Sequence, residues 1–177
     1  MTPLRPRITV QPWTVVLEHV PGRAPQVLAA GRHRSRRGAR YEVVDLRDRS
    51  TSLVGEEVSS EDGLAVRASV TVRWRVSDPV LFGERAAEHV AAVCLATKVT
   101  LREVVGRLPG AAVAEAVRTA SADRITAEVR PVAARGGVDV LAVEVHDLVL
   151  PDTVAGPVSG RVSGQVPEGA GWQRGHQ

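Results

Sequence analysis

The clearest pattern in the sequence is an alternation of apolar and polar side chains from Leu64 to Val76. Every even position carries an apolar or small residue, whereas the odd positions from 67 to 75 are Arg67, Ser69, Thr71, Arg73 and Arg75. Such alternation is typical of a long strand with one buried face and one face in water. Asp62-Gly63 forms a turn before it, and Asp78-Pro79 ends it and begins a helix. We expect the other elements to pair with this strand or to pack on its apolar face.

Upstream of this strand, the sequence predicts shorter strands separated by turns. Residues 8–20 form one or two strands interrupted at Pro12, and residues 26–30 return as a hairpin after the Pro21-Gly22 turn. Residues 41–46 and 52–58 are two further strands. Because most connections between these roughly five strands are short, we expect the pairing to be largely antiparallel.

After Asp78-Pro79 the apolar period lengthens to that of a helix. The first predicted helix carries an apolar stripe made of Val90, Cys94, Thr97, Leu101, Val104 and Leu108. The segment GRLPG at residues 106–110 breaks it. A second, alanine-rich helix covers residues 111–134, and we expect Pro131 to kink it or end it early.

The last predicted strand covers residues 138–150, and its apolar positions change parity around His146-Asp147. A bulge there would restore the register. Residues 153–177 are rich in Gly, Pro and Ser and predict a disordered tail, and residues 1–7 predict a frayed N-terminus. The order of elements therefore predicts an α+β domain over residues 8–152, with two helices on one face of a curved, mainly antiparallel sheet.

Composition narrows the class of protein. The 177 residues are 44% hydrophobic and 24% charged, which is ordinary for a single globular domain. Cys94 is the single cysteine, so no internal disulfide forms and a reducing compartment fits best. The first residues, MTPLRPRITVQPW, lack the apolar run of a signal peptide, and the longest apolar run is far shorter than the ~20 residues of a transmembrane helix. We expect a cytoplasmic protein without a transmembrane segment.

The residue patterns indicate no catalytic chemistry. The histidines form no close pair, and a single cysteine cannot build a structural zinc site. The adjacent acids Glu56-Glu57 and Glu61-Asp62 point to opposite faces of an extended chain and so make no acid/base pair. Cys94 lies on the apolar stripe, as a small core residue would. His146 forms either a pH-sensitive pair with Asp147 or a local hydrogen bond. We expect no enzymatic activity, no catalytic residues, no cofactor and no metal.

Charge is distributed unevenly along the chain. Residues 1–50 carry ten arginines and four acidic residues, a balance of +6, which leaves −3 for the remainder of a chain with net charge +3. This basic part indicates a negatively charged partner, either an anionic lipid surface or nucleic acid. Its most basic segment, residues 32–40, has no acid and is predicted to be an exposed loop. The arginines of this loop are Arg32, Arg34, Arg36, Arg37 and Arg40.

Five segments match, in order, those of a known family. They are Val15-Val16 followed by Gly31-Arg32-His33, then Val44-Asp45-Leu46-Arg47, then Asp62-Gly63 to Val76 with Asp78-Pro79, then Thr100 to Gly106, then Gly137-Val138 to Leu150-Pro151. With this spacing, the chain resembles an SPFH domain, also called a band 7 or prohibitin-homology domain, of the stomatin-like type. The resemblance covers about residues 8–152.

The resemblance implies a non-catalytic scaffold or interaction module that forms homo-oligomers on a membrane face and regulates a membrane protease, channel or transporter. It also implies that the loop after the opening hairpin faces the membrane, which makes its five arginines candidate contacts to anionic lipid. Family members usually have an N-terminal hydrophobic anchor and a C-terminal coiled coil, and this sequence shows neither. We expect the polybasic loop to replace the anchor at the inner face of the plasma membrane.

Two other interpretations of the arginine-rich loop are open. It is either a solvated segment without a partner or a contact to the phosphates of nucleic acid. We do not expect nucleic acid, because no aromatic platform accompanies the arginines: Trp13, Trp74 and Trp172 lie far away in the sequence. The alternative for the whole protein is a purely cytosolic adaptor domain without membrane contact.

Overall fold

A computed structural model describes residues 6–83, 85–117 and 121–150. The strands in this part of the chain are β1 (Arg7–Val10), β2 (Thr14–His19), β3 (Gln26–Leu28), β4 (Gly31–Arg34), β5 (Arg40–Asp45), β6 (Arg49–Ser59), β7 (Ala65–Val76) and β8 (Val138–Val149). The helices are α1 (Pro79–Gly83), α2 (Ala86–Val105), α3 (Gly110–Ala116) and α4 (Ala122–Ala134). The predicted α+β class is confirmed. The predicted tail, residues 153–177, lies outside the described residues, as do residues 1–5, whereas Arg7 already belongs to β1.

The central sheet has the order β6-β7-β8, and both of its strand pairs are antiparallel. The even positions of β7 are all buried, as the alternation predicts: Val66, Ala68, Val70, Val72, Trp74 and Val76. Its odd positions face water or are half-buried. The returning strand β8 pairs with β7, so the strand with the clearest pattern is also the middle of the sheet.

Both outer strands of the central sheet are bulged against β7. In β8, the predicted bulge at His146-Asp147 is confirmed, and Asp147 there adopts a φ of 49°. A second bulge at Leu141 was not predicted. Because of this bulge, the side chains that face the core change from even to odd positions: Val140 is buried before Leu141, and Val143 is buried after it.

Helix α4 is attached to β8 beside the unpredicted bulge. The Thr126 hydroxyl accepts a hydrogen bond from the N–H of Val143 at 3.0 Å, and Arg130 Nε donates to the carbonyl of Val140 at 3.1 Å. Thr126 and Arg130 are one helical turn apart and therefore lie on the same face of α4. They satisfy backbone groups of β8 on both sides of Leu141, which fixes the helix to the strand.

The helical part has four helices in the described residues, where the sequence predicted two. Helix α1 begins at the predicted Asp78-Pro79, and the Asp78 carboxylate accepts hydrogen bonds from the N–H groups of Val80 and Leu81, as an N-cap does. Along α2, the buried positions Thr97, Leu101 and Val104 follow the predicted stripe. By contrast, the predicted stripe residues Val90, Cys94 and Leu108 are only partly buried.

Pro131 was predicted to kink its helix or to end it early, and the early end does not occur. Helix α4 continues through Pro131 to Ala134. Ala133, two residues after the proline, is only 1% exposed. Burial of this last turn against the core offsets the backbone hydrogen bond that proline cannot make.

The N-terminal part of the chain forms two further antiparallel sheets, β3-β2-β5 and β1-β4. The predicted hairpin is β2–β3. The prediction of about five strands before residue 77 was too low, because the described residues 6–76 contain seven strands. The prediction that residues 32–40 are entirely a loop was also wrong: residues 32–34 belong to β4, which pairs with β1. A strand of this kind keeps its arginine side chains in water while its backbone is hydrogen-bonded.

The hydrophobic core lies between the central sheet and helices α2–α4, and it extends to Leu17 of β2 and Phe82 of α1. A second, small cluster of buried residues is made of Val10, Val16 and Leu28, on the other side of β2. Strand β2 is therefore covered on both faces, and its outer face borders the arginine-rich segment.

Candidate functional site

The structure distributes the five predicted arginines over two strands and their connection. Arg32 and Arg34 lie on β4, and because they are two residues apart they point to the same side of the strand. Arg36 and Arg37 lie in the connection between β4 and β5. Arg40 begins β5, where it pairs with His19 at the end of β2.

Arg36 differs from the other four because it is held by a buried carboxylate. The side chain of Glu18 is only 3% exposed, and its Oε2 lies 3.2 Å from Arg36 Nε. The Tyr41 hydroxyl donates to Glu18 Oε1 at 2.9 Å and accepts from the N–H of Arg36 at 2.6 Å. Burial is the largest of the effects that raise the pKa of Tyr41, so this phenol stays protonated and can donate. A buried carboxylate needs such partners, and they fix the connection to the sheet.

The remaining arginines form what we call the arginine patch, defined as Arg32, Arg34, Arg37 and Arg40. Within the described part of the chain, none of the four has an acidic partner within ion-pair distance. All four are exposed. The arginines on the wet face of β7 behave differently, because Arg67 pairs with Glu57 and Arg75 pairs with Asp139. The patch is therefore positive charge that no acidic side chain among residues 6–83, 85–117 and 121–150 neutralises.

Two glycine turns border the end of strand β2. In the first, the N–H of Arg23 donates to the carbonyl of Val20 at 3.1 Å, and Gly22 has a φ of 75°. In the second, Ala39 N–H donates to the carbonyl of Arg36 at 3.4 Å, with Gly38 at a φ of 77°. Glycine at the third position with a positive φ is the arrangement of a type II turn. These turns give both loops a defined shape.

Between these turns lies an open cavity of about 320 Å³, which we call the turn cavity. It is lined by His19, Val20, Pro21, Arg23, Pro25, Gly38 and Arg40. Sequence reasoning did not identify Arg23 as a site residue. The signal for it was present, because the predicted Pro21-Gly22 turn places Arg23 at the end of the hairpin that the arginine-rich loop also reaches.

The other candidate groups have structural roles. Partial burial raises the pKa of the Cys94 thiol, which disfavours the reactive thiolate. His146 Nε2 lies 2.8 Å from Thr71 Oγ1, so its partner is on the neighbouring strand. A hydrogen bond from Ser60 and another from the N–H of Gly110 lower the pKa of Asp62, which joins the β6–β7 turn to α3. Among residues 6–83, 85–117 and 121–150, no group of three or more His, Cys, Asp or Glu residues is arranged to hold a metal ion.

No helix in the described ranges has the length and apolar character needed to cross a membrane. The sequence profile of the SPFH domain / Band 7 family matches residues 8–166. The chain belongs to the SPFH domain / Band 7 family. The match includes all of the central sheet, the helices and the turn cavity. Membership agrees with a membrane-associated scaffold and with a generally non-catalytic domain. A search of the curated proteins found no match.

Proposed function

We propose that this SPFH domain is a non-catalytic scaffold that associates with itself at the cytoplasmic face of the plasma membrane. The arginine patch binds the anionic lipid surface, and the assembled scaffold regulates a membrane protease, channel or transporter. The observation that carries the proposal is the exposed charge of Arg32, Arg34, Arg37 and Arg40, on two strands and their connection, which no acidic side chain in the described part of the chain neutralises.

Electrostatic attraction of this size gives weak and reversible attachment. Each arginine close to an anionic membrane contributes about 1 kcal/mol, and the attraction falls off within a Debye length of about 10 Å at ~0.1 M salt. Four arginines together therefore support binding that salt can abolish. Arg36 contributes differently, because its ion pair with Glu18 holds the connection in place and leaves the neighbouring guanidinium groups exposed.

Sedimentation with lipid vesicles tests the membrane contact. We expect the protein to sediment with phosphatidylserine-containing vesicles at about 0.1 M salt and to be released at about 1 M salt, where the Debye length is only ~3 Å. Vesicles of phosphatidylcholine alone should not bind it. The double variant Arg34→Glu/Arg37→Glu should lose most of the binding.

The matched control is Arg102→Glu/Arg107→Glu, which changes the net charge equally at two exposed positions at the end of α2 and just after it. It should retain binding if the patch is the contact. Equal loss in both double variants would contradict a defined patch, because net charge alone would then explain the attraction. Absence of binding by the unchanged protein at low salt would contradict the membrane proposal and favour the cytosolic adaptor.

Light scattering tests self-association. We expect a mass larger than the 18.8 kDa monomer, and a further increase when anionic vesicles are added. A monomer under both conditions would contradict the scaffold proposal while leaving the lipid contact intact.

A further inference from the structure

The turn cavity is lined by two arginines at one end of the buried strand β2, Arg23 from the β2–β3 turn and Arg40 from the start of β5. Arg40 is the pairing partner of His19 in the β2–β5 ladder, and Arg23 follows the turn that leaves β2. Because β2 is the middle strand of its sheet, the loops on its two sides come together there. Neither arginine has an acidic partner in the described part of the chain.

The lining of the turn cavity is positive and contains no acidic side chain. The closest carboxylate to His19 is that of Glu42, whose Oε2 lies 3.3 Å from His19 Nε2, and Glu42 is not part of the lining. His19 Nε2 is buried, so it is not accessible to a ligand in the cavity. The charges that a ligand meets are therefore those of Arg23 and Arg40.

We propose that the turn cavity binds a phosphate monoester or inorganic phosphate through Arg23 and Arg40. A guanidinium group presents a planar fork of N–H donors that matches the oxygens of carboxylate and phosphate. Two forks from different elements, the β2–β3 turn and the start of β5, suit a tetrahedral phosphate, whose terminal oxygens point in several directions, better than a planar carboxylate. A phosphate monoester also carries about −1.5 to −2 charges at neutral pH, which two arginines can balance.

The cavity is pre-shaped for such a ligand. The first glycine turn contributes Val20, Pro21 and Arg23 to its lining and the second contributes Gly38, and Pro21 and Pro25 restrict the backbone of the first loop. A volume of about 320 Å³ is at the lower end of small-molecule sites, which suits a headgroup or a free phosphate. If the bound phosphate belongs to a lipid, this inference rests on the proposed membrane contact. The favoured headgroup is then a phosphate monoester, as in phosphatidic acid.

Titration with inorganic phosphate, followed through the backbone amide signals in NMR spectra, tests the cavity without any membrane. We expect saturable shifts confined to residues 19–25 and 38–40. Arg23→Gln and Arg40→Gln should each weaken binding about tenfold or more, since each removes charge-assisted hydrogen bonds. Arg32→Gln is the matched control and should leave the affinity unchanged, because Arg32 is exposed outside the cavity. Shifts spread over all basic residues, or equal affinity in all three variants, would overturn the inference.

Vesicles containing phosphatidic acid or phosphatidylserine, matched in surface charge, distinguish the two sources of phosphate. A preference for phosphatidic acid that Arg23→Gln removes identifies a lipid headgroup. Localised shifts with inorganic phosphate but no such preference identify a free phosphate. Binding to phosphatidylserine vesicles without any localised phosphate shifts would overturn the cavity inference and leave the proposed function standing. Localised phosphate shifts without binding to any vesicle would support the cavity inference and contradict the proposed membrane contact.

Discussion

Strands β7 and β2 are the middle strands of their sheets, but they are buried differently. Along β7, burial alternates residue by residue, and the arginines on its wet face pair with acids on neighbouring strands. Along β2, four consecutive residues from Val15 to Glu18 are buried. The side chains of β2 therefore contact the main core on one face and the small cluster with the arginine-rich connection on the other.

This difference between β7 and β2 shows that a charged residue fixes the position of its neighbours when it is buried, and not when it is exposed. An ion pair between exposed residues, such as Arg67 with Glu57, is solvated on most sides and contributes little to stability. The carboxylate of Glu18 is buried and has to be satisfied, so it determines the position of Arg36 and Tyr41. The buried Glu18 at the outer face of β2 therefore shapes the connection between β4 and β5, the two strands that carry three of the four arginines of the patch.

The largest expected effect tests whether β2 belongs to the main core. Leu17→Ala should lower the free energy of unfolding by about 2–5 kcal/mol, because Leu17 is fully buried and its removal leaves a cavity. Val43→Ala on the adjacent strand is the control and should change stability by less than about 0.5 kcal/mol, since Val43 is 67% exposed. Urea unfolding measures both. Equal effects would mean that β2 is not buried as described.

The next effect compares a glycine at the end of the central sheet with one in the β2–β3 turn. Gly137 has a φ of 68°, and an added Cβ would collide with the carbonyl oxygen of Asp78. Gly137→Ala should therefore cost about 2 kcal/mol or more. Gly22→Ala should cost only about 1–2 kcal/mol, because a Cβ there meets no atom within 4 Å and only the backbone is strained. Thermal unfolding should rank them in this order, and the opposite rank would contradict the packing at Asp78.

A smaller effect separates an ion pair with a buried carboxylate from an ion pair between two exposed side chains. Glu18→Gln should reduce stability by about 1–2 kcal/mol, because Arg36 loses its charged partner while the amide keeps a hydrogen bond with Tyr41. Glu57→Gln removes the partner of Arg67 and should cost about 0–0.5 kcal/mol, since both side chains are mostly exposed. Amide hydrogen exchange should increase in residues 35–39 only in Glu18→Gln. The same exchange in both variants would show that Glu18 does not hold the connection.

The smallest effect is a pH dependence of stability that arises from Asp45, the last residue of β5. Hydrogen bonds from Arg47 lower the pKa of Asp45 from 3.8 to about 2. A lowered pKa in the folded state adds stability that is fully present above the unfolded value and is lost as the pH falls from about 3.8 towards 2. In Arg47→Gln, this part of the acid dependence should shrink, and an NMR titration should find a higher pKa for Asp45. An unchanged pKa would contradict the role of Arg47.

The sequence correctly predicted those parts of the fold that depend on residues close to one another along the chain. The alternation in β7, the turn at Pro21-Gly22, the start of α1 at Asp78-Pro79 and the bulge at His146-Asp147 are all visible in neighbouring residues, and the structure confirms them. The five segments that match the SPFH family in the right order were also enough to indicate the family.

The missed features depend on partners distant in the sequence. Strand β4 exists because β1 lies beside it, and nothing in an arginine-rich segment indicates that pairing. The bulge at Leu141 is visible only against β7 and α4. The role of Glu18 was not predicted, since its partners Arg36 and Tyr41 lie 18 and 23 positions further along the chain. Arg23 became a site residue only when the two turns came together.

The bulge at Leu141 makes β8 tolerant of a change in its length. On either side of it, Val140 and Ala142 face the consecutive residues Trp74 and Arg73 of β7. A deletion of Leu141 would make Val140 and Ala142 consecutive residues and would leave every pairing with β7 unchanged. Only the spacing between the two backbone groups held by Thr126 and Arg130 would alter. Relatives one residue shorter at this point can therefore keep the same ladder, and an alignment gap there would carry no change of fold.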